Sequence, residues 1–282
     1  MNSVMCGLLN ISLILLICGI PVSQGFSYDK TGEWGNESPI CNGKSQSPIN
    51  IDFNDKNALK QDMVSLQWNG YENIPDVMIG ANNGHTIKVI PKWLDTAKRP
   101  YLSGGPLDSQ YVLQEFHFHW GADNSVGSEH TVNGKSFVLE LHMVHWKLDY
   151  GSFSAAVAAP DGLAVVGSFY DVNNTVSKPS SGVNNIINIA LILMKKGEEV
   201  DITPFPLSNF DAVNTPEVIA TYKGSLTTPG CNEAVTWMVV IHGHPISNNH
   251  METLRNVQLD NGENHNYRPV QPLNGRKVSF FH

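Results

Sequence analysis

Two stretches of the sequence combine histidines with the alternation of a β-strand. Residues 115–120 read Glu-Phe-His-Phe-His-Trp, and in an extended chain His117 and His119 stand on one face while the aromatic residues pack on the other. Residues 140–146 alternate in the same way and carry a third imidazole, His142, which a neighbouring antiparallel strand could place opposite the first two. Three neutral nitrogen ligands without a fourth protein ligand are typical of a catalytic zinc site, whose open position holds water.

Each of these histidines, taken singly, is more often a hydrogen-bonded residue of the core than a metal ligand. The spacing favours the metal site, because the His-x-His pair and the third histidine lie on two consecutive candidate strands. Carboxylates at Glu115, Glu129 and Glu140 could also accept hydrogen bonds from imidazole N–H groups and so orient the ligands.

The composition is that of one large globular domain. The chain has 282 residues, of which 41% are hydrophobic and 16% are charged, enough for one sizeable core. Its formal charge of −8 and pI of about 5.7, with no run of Lys or Arg, argue against nucleic acid or an anionic membrane surface as a partner. The negative charge is too dilute for an acidic ion-binding tail.

Residues 1–25 are predicted to be a secretory signal peptide. They contain no Asp, Glu, Lys or Arg, and their apolar run is too short to span a bilayer. Small residues precede a predicted cut near Phe26, which leaves residues 26–282 as the mature domain, although the segment lacks the basic side chain usual in such signals. Residues 278–282 form no hydrophobic tail, so no GPI anchor is expected and the protein is predicted to be secreted.

Cysteine and sequon positions agree with export. Two of the four cysteines lie in the signal segment, and Cys41 and Cys231 remain, either as a pair or as two free buried thiols. An oxidising compartment favours the disulfide, which would close a long loop of the unfolded chain. Asn173 begins an unobstructed glycosylation sequon, whereas the sequon at Asn36 is followed by proline and is the weaker candidate.

The elements that must position these residues are mostly strands. Apolar, β-branched runs separated by Gly, Pro, Asn and Asp clusters predict strands at 77–79, 86–90, 111–120, 137–146, 163–170 and 235–241. Helical signals are clearest at 154–159, 183–193 and 247–254, where Ser247 could cap the start. The sequence contains no internal repeat or linker, and a mostly β (α+β) single domain follows.

From about Tyr28 to Arg276, the chain resembles the α-class carbonic anhydrases of the secreted type. The resemblance rests on motifs in family order and at family-like spacing: QSPINI at 46–51, NGH at 83–85, FHFHWG at 116–121, SEHTV at 128–132, ELHMVHW at 140–146, DGLAV at 161–165, SLTTPG at 225–230 and YRPVQP at 267–272. Each motif is weak alone, and together they are highly specific. They imply the family's fold, a large twisted, mainly antiparallel central β-sheet with short peripheral helices and zinc in a conical cleft.

The resemblance also implies a reaction. His117, His119 and His142 would hold Zn²⁺, which in carbonic anhydrases as a class lowers the pKa of bound water to about 7. Hydroxide would then attack carbon dioxide reversibly, giving bicarbonate and a proton, which is the reaction of a carbonate dehydratase, a lyase. Thr227 would accept the hydroxide proton and donate in turn to Glu129, which aims the nucleophile. A threonine in a turn is otherwise more often a local backbone cap.

Substrate and proton need further residues, which the same motifs imply. Carbon dioxide is apolar and would lie against a wall that could equally be plain core: Val144, Val165, Leu226 and Trp237. The backbone N–H of Thr227 would meet a bicarbonate oxygen, and Thr228 would line the polar side. His85 matches the proton-shuttle position, and a histidine with a pKa near the unperturbed value of about 6.5 suits relay to buffer. A loop histidine is otherwise merely solvated.

Supporting roles are implied in the same way. Glu140 would accept a hydrogen bond from His142, whereas His130 and His145 would be buried hydrogen-bonding residues without a ligand role. Cys41 and Cys231 match positions that are bridged in many secreted members of the family, and the bridge would steady the turn that carries Thr227.

Two residues depart from the family pattern. Glu115 stands where the family commonly has glutamine, and a carboxylate there should make His117 a more basic ligand that binds zinc more strongly. Lys88 occupies a position that is commonly neutral and polar. If Lys88 faces the cleft, its charge would favour anions and disfavour protonated His85.

Three functional classes stay in view: a secreted zinc enzyme, a catalytically silent relative that binds a partner or matrix, and a protein with purely structural zinc. The presence of every ligand, together with Glu129, Thr227 and His85, favours the enzyme, with carbon dioxide and bicarbonate as its partners. Three histidines without a fourth protein ligand disfavour structural zinc. Nucleic acid and a membrane anchor are not expected as partners, and monomer and homodimer remain open.

Overall fold

Strands dominate the fold, as the sequence predicts. The computed structural model describes residues 25–53, 59–60, 64–173, 180–213 and 218–282, so the predicted signal peptide lies, apart from Gly25, outside the described residues. The strands are β1 Asn50–Ile51, β2 Leu59–Lys60, β3 Gln67–Asn69, β4 Val77–Asn82, β5 Ile87–Lys92, β6 Tyr101–Ser103, β7 Tyr111–Trp120, β8 Thr131–Val132, β9 Leu139–Lys147, β10 Leu163–Val172, β11 Glu199–Asp201, β12 Ile219–Gly224, β13 Val235–Ile246 and β14 Ser279–Phe281.

The helices are short and peripheral. The α-helices are α1 Trp34–Glu37, α2 Phe153–Val157, α3 Ser181–Ile192 and α4 Asn248–Arg255. Short 3₁₀ segments occupy Tyr28–Glu33, which is kinked at Lys30, and Pro39–Asn42, Thr96–Lys98, Leu148–Tyr150, Leu207–Asn209 and Asp260–Gly262. Ser247 caps α4 as predicted, since its side chain accepts a hydrogen bond from the backbone N–H of His250 at 3.3 Å.

One large mixed sheet organises the domain. Its strands run in the order β11-β4-β5-β7-β9-β10-β13-β12-β14-β2, and β6 joins β3 to β7, which makes 12 strands in all. Neighbours are antiparallel except for β10 with β13 and β14 with β2, and β1 and β8 form a separate parallel pair. The predicted single domain with a mainly antiparallel central sheet is confirmed.

The two faces of the sheet support two separate parts of the core. In β9 every residue is buried. The strand therefore lacks the alternation of apolar and polar residues that is typical of a sheet with one face in solvent. Leu141 and Met143 belong to the larger apolar cluster on one face, while Val144 and Trp146 belong to the cluster on the other. His142 shares its face with Val144, so this ligand candidate lies at the edge of an apolar cluster.

A register shift in β7 determines which face of the sheet carries His117 and His119. Between Leu113 and Glu115 the pairing with β9 slips by one residue, so Gln114 is extra on its strand. Beyond the slip the alternation is regular, and Glu115, His117 and His119 point to the same face.

Most predicted elements exist, and their boundaries differ. The strand predicted at 111–120 is β7 in full, whereas the strand predicted at 77–79 extends to Asn82 and the one predicted at 235–241 extends to Ile246. The predicted helix 154–159 is shifted and is Phe153–Val157. Strand β12 was not predicted, because its apolar run ends in Lys223 and Gly224 and is held by pairing with β13 and β14.

The N-terminal segment and the disulfide form a third, small apolar cluster. Cys41 and Cys231 are bonded across a sequence separation of 190 residues, which confirms the pair over two free thiols. Phe26, Tyr28 and Trp34 pack against this bridge. Among the described residues, no helix has both the length and the apolar character needed to cross a membrane.

Removal of the disulfide is expected to destabilise the fold through the unfolded chain. A loop of 190 residues corresponds to about 5 kcal/mol in the chain-entropy description of cross-links. We expect the double substitution Cys41→Ala and Cys231→Ala to lower the free energy of unfolding by several kcal/mol in urea titrations without reductant. Unsubstituted protein unfolded in excess reductant is the control and should behave like the variant. An unchanged urea midpoint would contradict the prediction.

Candidate functional site

Three imidazoles converge on one point at the floor of a cleft. His142 on β9 lies directly opposite His117 on β7, and His119 lies opposite Glu140, which confirms the predicted antiparallel arrangement. The ring centroids of His119 and His142 are 4.5 Å apart. The ring centroid of His117 lies 5.0 Å from that of His119 and 5.2 Å from that of His142. One nitrogen of each ring lies within 4.8 Å of the corresponding nitrogens of the other two, a spacing suited to one shared metal ion.

The second nitrogen of each ring is held by an acceptor. Nδ1 of His117 lies 3.0 and 3.2 Å from the two carboxylate oxygens of Glu115. Nδ1 of His119 donates to the backbone carbonyl of Asn266 at 2.7 Å, and Nε2 of His142 donates to Oε1 of Glu140 at 2.7 Å. These bonds fix the tautomers of the three rings. They leave Nε2 of His117, Nε2 of His119 and Nδ1 of His142 available as metal ligands.

The donor set fits Zn²⁺. Nε2 of His119 is buried and has no hydrogen-bond partner within the described residues, a costly state for a polar atom unless a cation meets it. Burial lowers the pKa of His119 well below its usual value, and the neighbouring His142 and His117 lower it further. Burial also lowers the pKa of His142 to about 4, although Glu140 opposes the shift. Neutral imidazole, the form that binds metal, is therefore favoured at both positions.

Glu140 is the centre of a buried network behind the ligands. Its Oε1 accepts from His130 Nδ1 at 2.8 Å as well as from His142, and its Oε2 accepts from the backbone N–H of Glu129 at 2.8 Å. Burial raises the pKa of Glu140, but His130 and His142 outweigh it and hold that pKa well below the usual range. Gly167 makes room for the carboxylate, since a Cβ there would lie 2.9 Å from Oε1. His130 is thus a hydrogen-bonding residue, as predicted.

Glu129 lies beside the three rings and joins them to the loop after β12. Its Oε2 is 3.5 Å from Nε2 of His119 and 3.9 Å from Nδ1 of His142, while its Oε1 accepts from the backbone N–H of Arg268 at 2.8 Å. The side chain of Thr227 lies near Glu129 and favours its charged form. Burial and the charge of Glu140 outweigh this effect and raise the pKa of Glu129 well above its usual value. Thr227 and Glu129 are therefore neighbours, and Oε2 of Glu129 has no hydrogen-bond partner among the described residues.

The cleft lining combines apolar and polar side chains. The volume of the cleft is about 200 Å³. The predicted substrate-binding residues all line it, together with the three histidines: Val144, Val165, Leu226, Thr227, Thr228 and Trp237. The indole N–H of Trp237 donates to the backbone carbonyl of Ser225 at 3.0 Å, which fixes the ring against His142, 4.8 Å away between centroids. Lys88 lines the cleft as well. Its charge is predicted to favour anions if the residue faces the cleft, and this condition is met.

His85 lines the cleft but differs from the solvated loop residue that its position suggests. Its ring stacks on Phe26 with centroids 3.8 Å apart and 17° between the planes, and the residue is only 7% exposed. Burial lowers the pKa of His85 below its usual value, although the carboxylates of Asp260 and Glu263 oppose the shift. The expectation of an unperturbed pKa is corrected, because an aromatic ring replaces water on one face of the imidazole.

Several site residues escape prediction from the sequence. Asn266 supplies both the acceptor for His119 and a side chain that accepts from the backbone N–H of Trp120 at 2.6 Å, yet it lies just outside the quoted YRPVQP motif. Phe26 and Tyr28 line the cleft mouth, and Asp260 faces His85. Only spatial contact identifies these residues, since each comes from a loop remote in sequence from its partner.

The remaining predicted sites stand apart from the cleft. His145 hydrogen-bonds the hydroxyl of Tyr71 and lies 3.2 Å from the carbonyl of Ala164, which agrees with a buried structural role. Asn36 and Asn173 are exposed, and residues 174 and 175 of the second sequon lie outside the described residues. Occupancy by glycan stays a prediction.

Comparison with known proteins agrees with this geometry. The family model of eukaryotic-type carbonic anhydrase matches residues 29–282. Carbonic anhydrase 7 of Homo sapiens is 38% identical over 266 residues, covering 90% of this chain and 96% of that protein. Carbonic anhydrase 3 of Sus scrofa is 37% identical over 258 residues, covering 88% and 94%. Carbonic anhydrase 3 of Mus musculus is 36% identical over 261 residues, covering 89% and 95%.

The carboxylate of Glu115 is expected to strengthen zinc binding. It accepts from His117 with both oxygens, and Lys88 and His117 hold its pKa below the usual value against the effect of burial. In Glu115→Gln the acceptor is neutral, so we expect zinc affinity to fall about tenfold, in the range typical of such acceptors. Competition with a chromogenic chelator measures it.

The control for this measurement is Glu72→Gln, which removes an exposed carboxylate outside the cleft lining. Equal zinc affinity in Glu115→Gln and the parent would show that the charge of Glu115 does not act on the ligand.

Proposed function

The chain belongs to the eukaryotic-type carbonic anhydrase family, and we propose that it is an exported member that hydrates carbon dioxide at zinc held by His117, His119 and His142. Membership makes it a carbonate dehydratase, a lyase, with carbon dioxide and bicarbonate as substrate and product. The observation that carries the zinc assignment is the convergence of three ring nitrogens within 4.8 Å of one another at the cleft floor. The buried, unpartnered Nε2 of His119 supports it.

Zinc at this point supplies a Lewis acid that makes water a nucleophile near neutral pH. The chain's own contribution is to fix the three imidazoles through Glu115, Asn266 and Glu140 and to exclude bulk water around them. All three rings line the cleft, which leaves room beside them for water and a small substrate.

Thr227 and Glu129 orient the attacking group. In the proposed arrangement the hydroxyl of Thr227 donates to the buried carboxylate of Glu129, which lies near it and is fixed by the backbone N–H of Arg268. A hydroxyl that donates to Glu129 can only accept from a group in the cleft, so it presents a lone pair in one direction. This one-way chain selects a nucleophile with a proton to donate and turns its remaining lone pairs toward the substrate.

The walls of the cleft sort substrate from product. Val144, Val165 and Leu226, with the ring of Trp237, form an apolar surface that suits carbon dioxide. The polar side carries Thr227 and Thr228, whose hydroxyl and N–H groups suit a bicarbonate oxygen. Lys88 adds a positive charge to the cleft lining and would attract anions into the cleft.

His85 is the proton shuttle in this proposal. It is the one histidine of the described cleft lining besides the three ligand candidates. Its Nδ1 has no hydrogen-bond partner in the described residues, so no protein group competes for a proton at this nitrogen. Its ring is held by Phe26, which keeps it in the lining.

Export completes the proposal. Residues 1–25 are read as a cleaved signal peptide and residues 26–282 as the secreted mature domain. The Cys41–Cys231 disulfide supports an oxidising compartment, where such bonds persist. Asn173 and Asn36 are exposed and would be accessible to glycosylation on that route.

The reaction is tested by stopped-flow hydration of carbon dioxide with the purified mature protein, and zinc content is measured on the same sample. We expect hydration that a chelator abolishes and zinc restores. His119→Ala should lose both zinc and activity, because it removes the only ligand candidate whose free nitrogen is fully buried and unpartnered. A zinc-loaded, folded and inert protein would refute the enzyme assignment.

The shuttle is tested with His85→Ala in weak buffer. We expect kcat to fall by about tenfold or more, in keeping with the loss of a general base. The ratio kcat/KM should change little, because the proton leaves after bicarbonate. Added imidazole should restore kcat, whereas His282→Ala, which removes an exposed terminal histidine, should behave like the parent. Unchanged kcat in His85→Ala would exclude the shuttle role.

Export is tested by expression of the full chain in secretory cells. We expect protein in the medium to begin at or close to Phe26 by N-terminal sequencing and to carry no free thiol at Cys41 or Cys231. Deletion of residues 1–25 should retain the protein inside the cell. Secretion that persists in the deletion variant would contradict the signal assignment.

A further inference from the structure

A carboxylate from a different loop lies against the side of His85 that faces away from its unpartnered nitrogen. Oδ2 of Asp260 is 3.7 Å from Nε2 of His85, and both side chains are largely buried, with 8% of His85 and 12% of Asp260 exposed. Asp260 begins the 3₁₀ turn Asp260–Gly262 that follows α4. It contacts none of the three zinc ligand candidates and belongs to none of the motifs of the sequence.

Asp260 is fixed in this place by the backbone on which His85 sits. Its N–H donates to the carbonyl of Gly84 at 2.7 Å. Gly84 has φ +85°, and a Cβ at that position would lie 2.5 Å from Oδ1 of Asp260, so only glycine lets the carboxylate approach so closely. Lys196 forms an ion pair with Oδ1, which leaves Oδ2 for the imidazole.

The two nitrogens of His85 therefore have opposite surroundings. Nε2 faces a carboxylate, whereas Nδ1 is buried and has no hydrogen-bond partner in the described residues. At 3.7 Å the contact with Asp260 acts through charge rather than as a direct hydrogen bond, so it strengthens when the ring becomes positive. The stack on Phe26 limits rotation of the ring out of this orientation.

We propose that Asp260 is a positioning residue for proton transfer, holding the proton of neutral His85 on Nε2 so that Nδ1 is the basic atom, and stabilising the imidazolium. The inference rests on the proposed shuttle role of His85. In the transfer a water molecule that reaches Nδ1 from the cleft loses a proton to the lone pair of this nitrogen: the O–H bond breaks, its electron pair stays on the oxygen, and the ring gains one positive charge. Buffer later removes one proton and returns the ring to neutrality. A carboxylate behind a histidine sets its tautomer in this way.

Four ionisable groups from the surrounding elements face His85: Asp260 and Glu263 after α4, Lys196 after α3 and Tyr28 of the N-terminal segment. Burial lowers the pKa of His85 most, the two carboxylates raise it, and Lys196 lowers it. Glu263 is already engaged by the N-terminal segment, since it accepts from Ser27 and from the backbone N–H of Tyr28. Asp260 is the only carboxylate in ion-pair contact with the ring among the described residues.

The decisive measurement is a pH titration of the His85 ring nitrogens by NMR on the zinc-loaded mature enzyme. In Asp260→Asn we expect the pKa of His85 to fall by about one unit, since an opposite charge nearby is lost. The population of the Nε2–H tautomer should fall in the same spectra. Stopped-flow data should show a severalfold lower kcat with kcat/KM unchanged, and the ionisation of His85 in the pH profile of kcat should move to lower pH.

A second variant tests the same network from the surface. Lys196 is 57% exposed, so Lys196→Gln is expected to fold even if Asp260→Asn does not. It removes the cation that competes for Asp260, and the pKa of His85 should rise, opposite in sign to the first variant. The matched control is Lys195→Gln, at the exposed neighbouring position, which should leave the pKa of His85 unchanged.

The outcomes separate the inference from the function on which it rests. Unchanged tautomer and pKa of His85 in Asp260→Asn, or a shift of the same sign in both variants, would overturn the positioning role even if His85→Ala shows a defective kcat. If His85→Ala keeps the parent kcat, the shuttle role fails and the inference loses its catalytic meaning, whatever the spectra report.

Discussion

The site depends on one constraint: each of three imidazoles in the cleft must stay neutral and keep one nitrogen bonded to a fixed acceptor so that the other points at a common centre. A carboxylate, a backbone carbonyl and a second carboxylate meet this requirement for His117, His119 and His142. Neutral rings with no such acceptors could rotate or change tautomer, and three independent rings would rarely point together. The sheet supplies the spacing, and the acceptors supply the direction.

The same constraint explains why so much charge is buried beneath the sheet face. Glu140 serves both His142 and His130, and the second nitrogen of His130 meets the hydroxyl of Tyr222 at 2.7 Å, which continues to Ser47 at 2.8 Å. This series of hydrogen bonds connects the ligand candidate His142 to Ser47 in the N-terminal part of the domain. Two buried carboxylates, Glu129 and Glu140, lie close enough that Glu140 raises the pKa of Glu129. A dication beside them would offset that repulsion and favour the charged form of both, so the network and the metal stabilise each other.

The three histidines and their chemistry could be predicted from the sequence, whereas the loop residues that surround them could not. Alternation within β7 and β9 puts His117, His119 and His142 on matching faces, and direct pairing in the sheet follows from the hydrophobic pattern on the other face. Asn266, Phe26 and Asp260 depend on how loops from both ends of the chain meet above the sheet, and no local pattern carries that information. His85 illustrates the difference: its motif identifies the position, but its burial comes from a ring nearly sixty residues away.

The packing of the N-terminal segment affects the acidity of His85. Phe26 covers one face of His85, and the backbone of Tyr28 and the side chain of Ser27 hydrogen-bond Glu263, so this segment is held over His85. A covered imidazole loses hydration, which disfavours its charged form, and a carboxylate on its far side offsets that loss. Asp260 is thus the counterpart of Phe26: one residue keeps the cleft dry around the reaction, and the other restores the basicity that dryness removes. A cleft of this kind can shield an apolar substrate from bulk water without isolating the proton that the reaction must release.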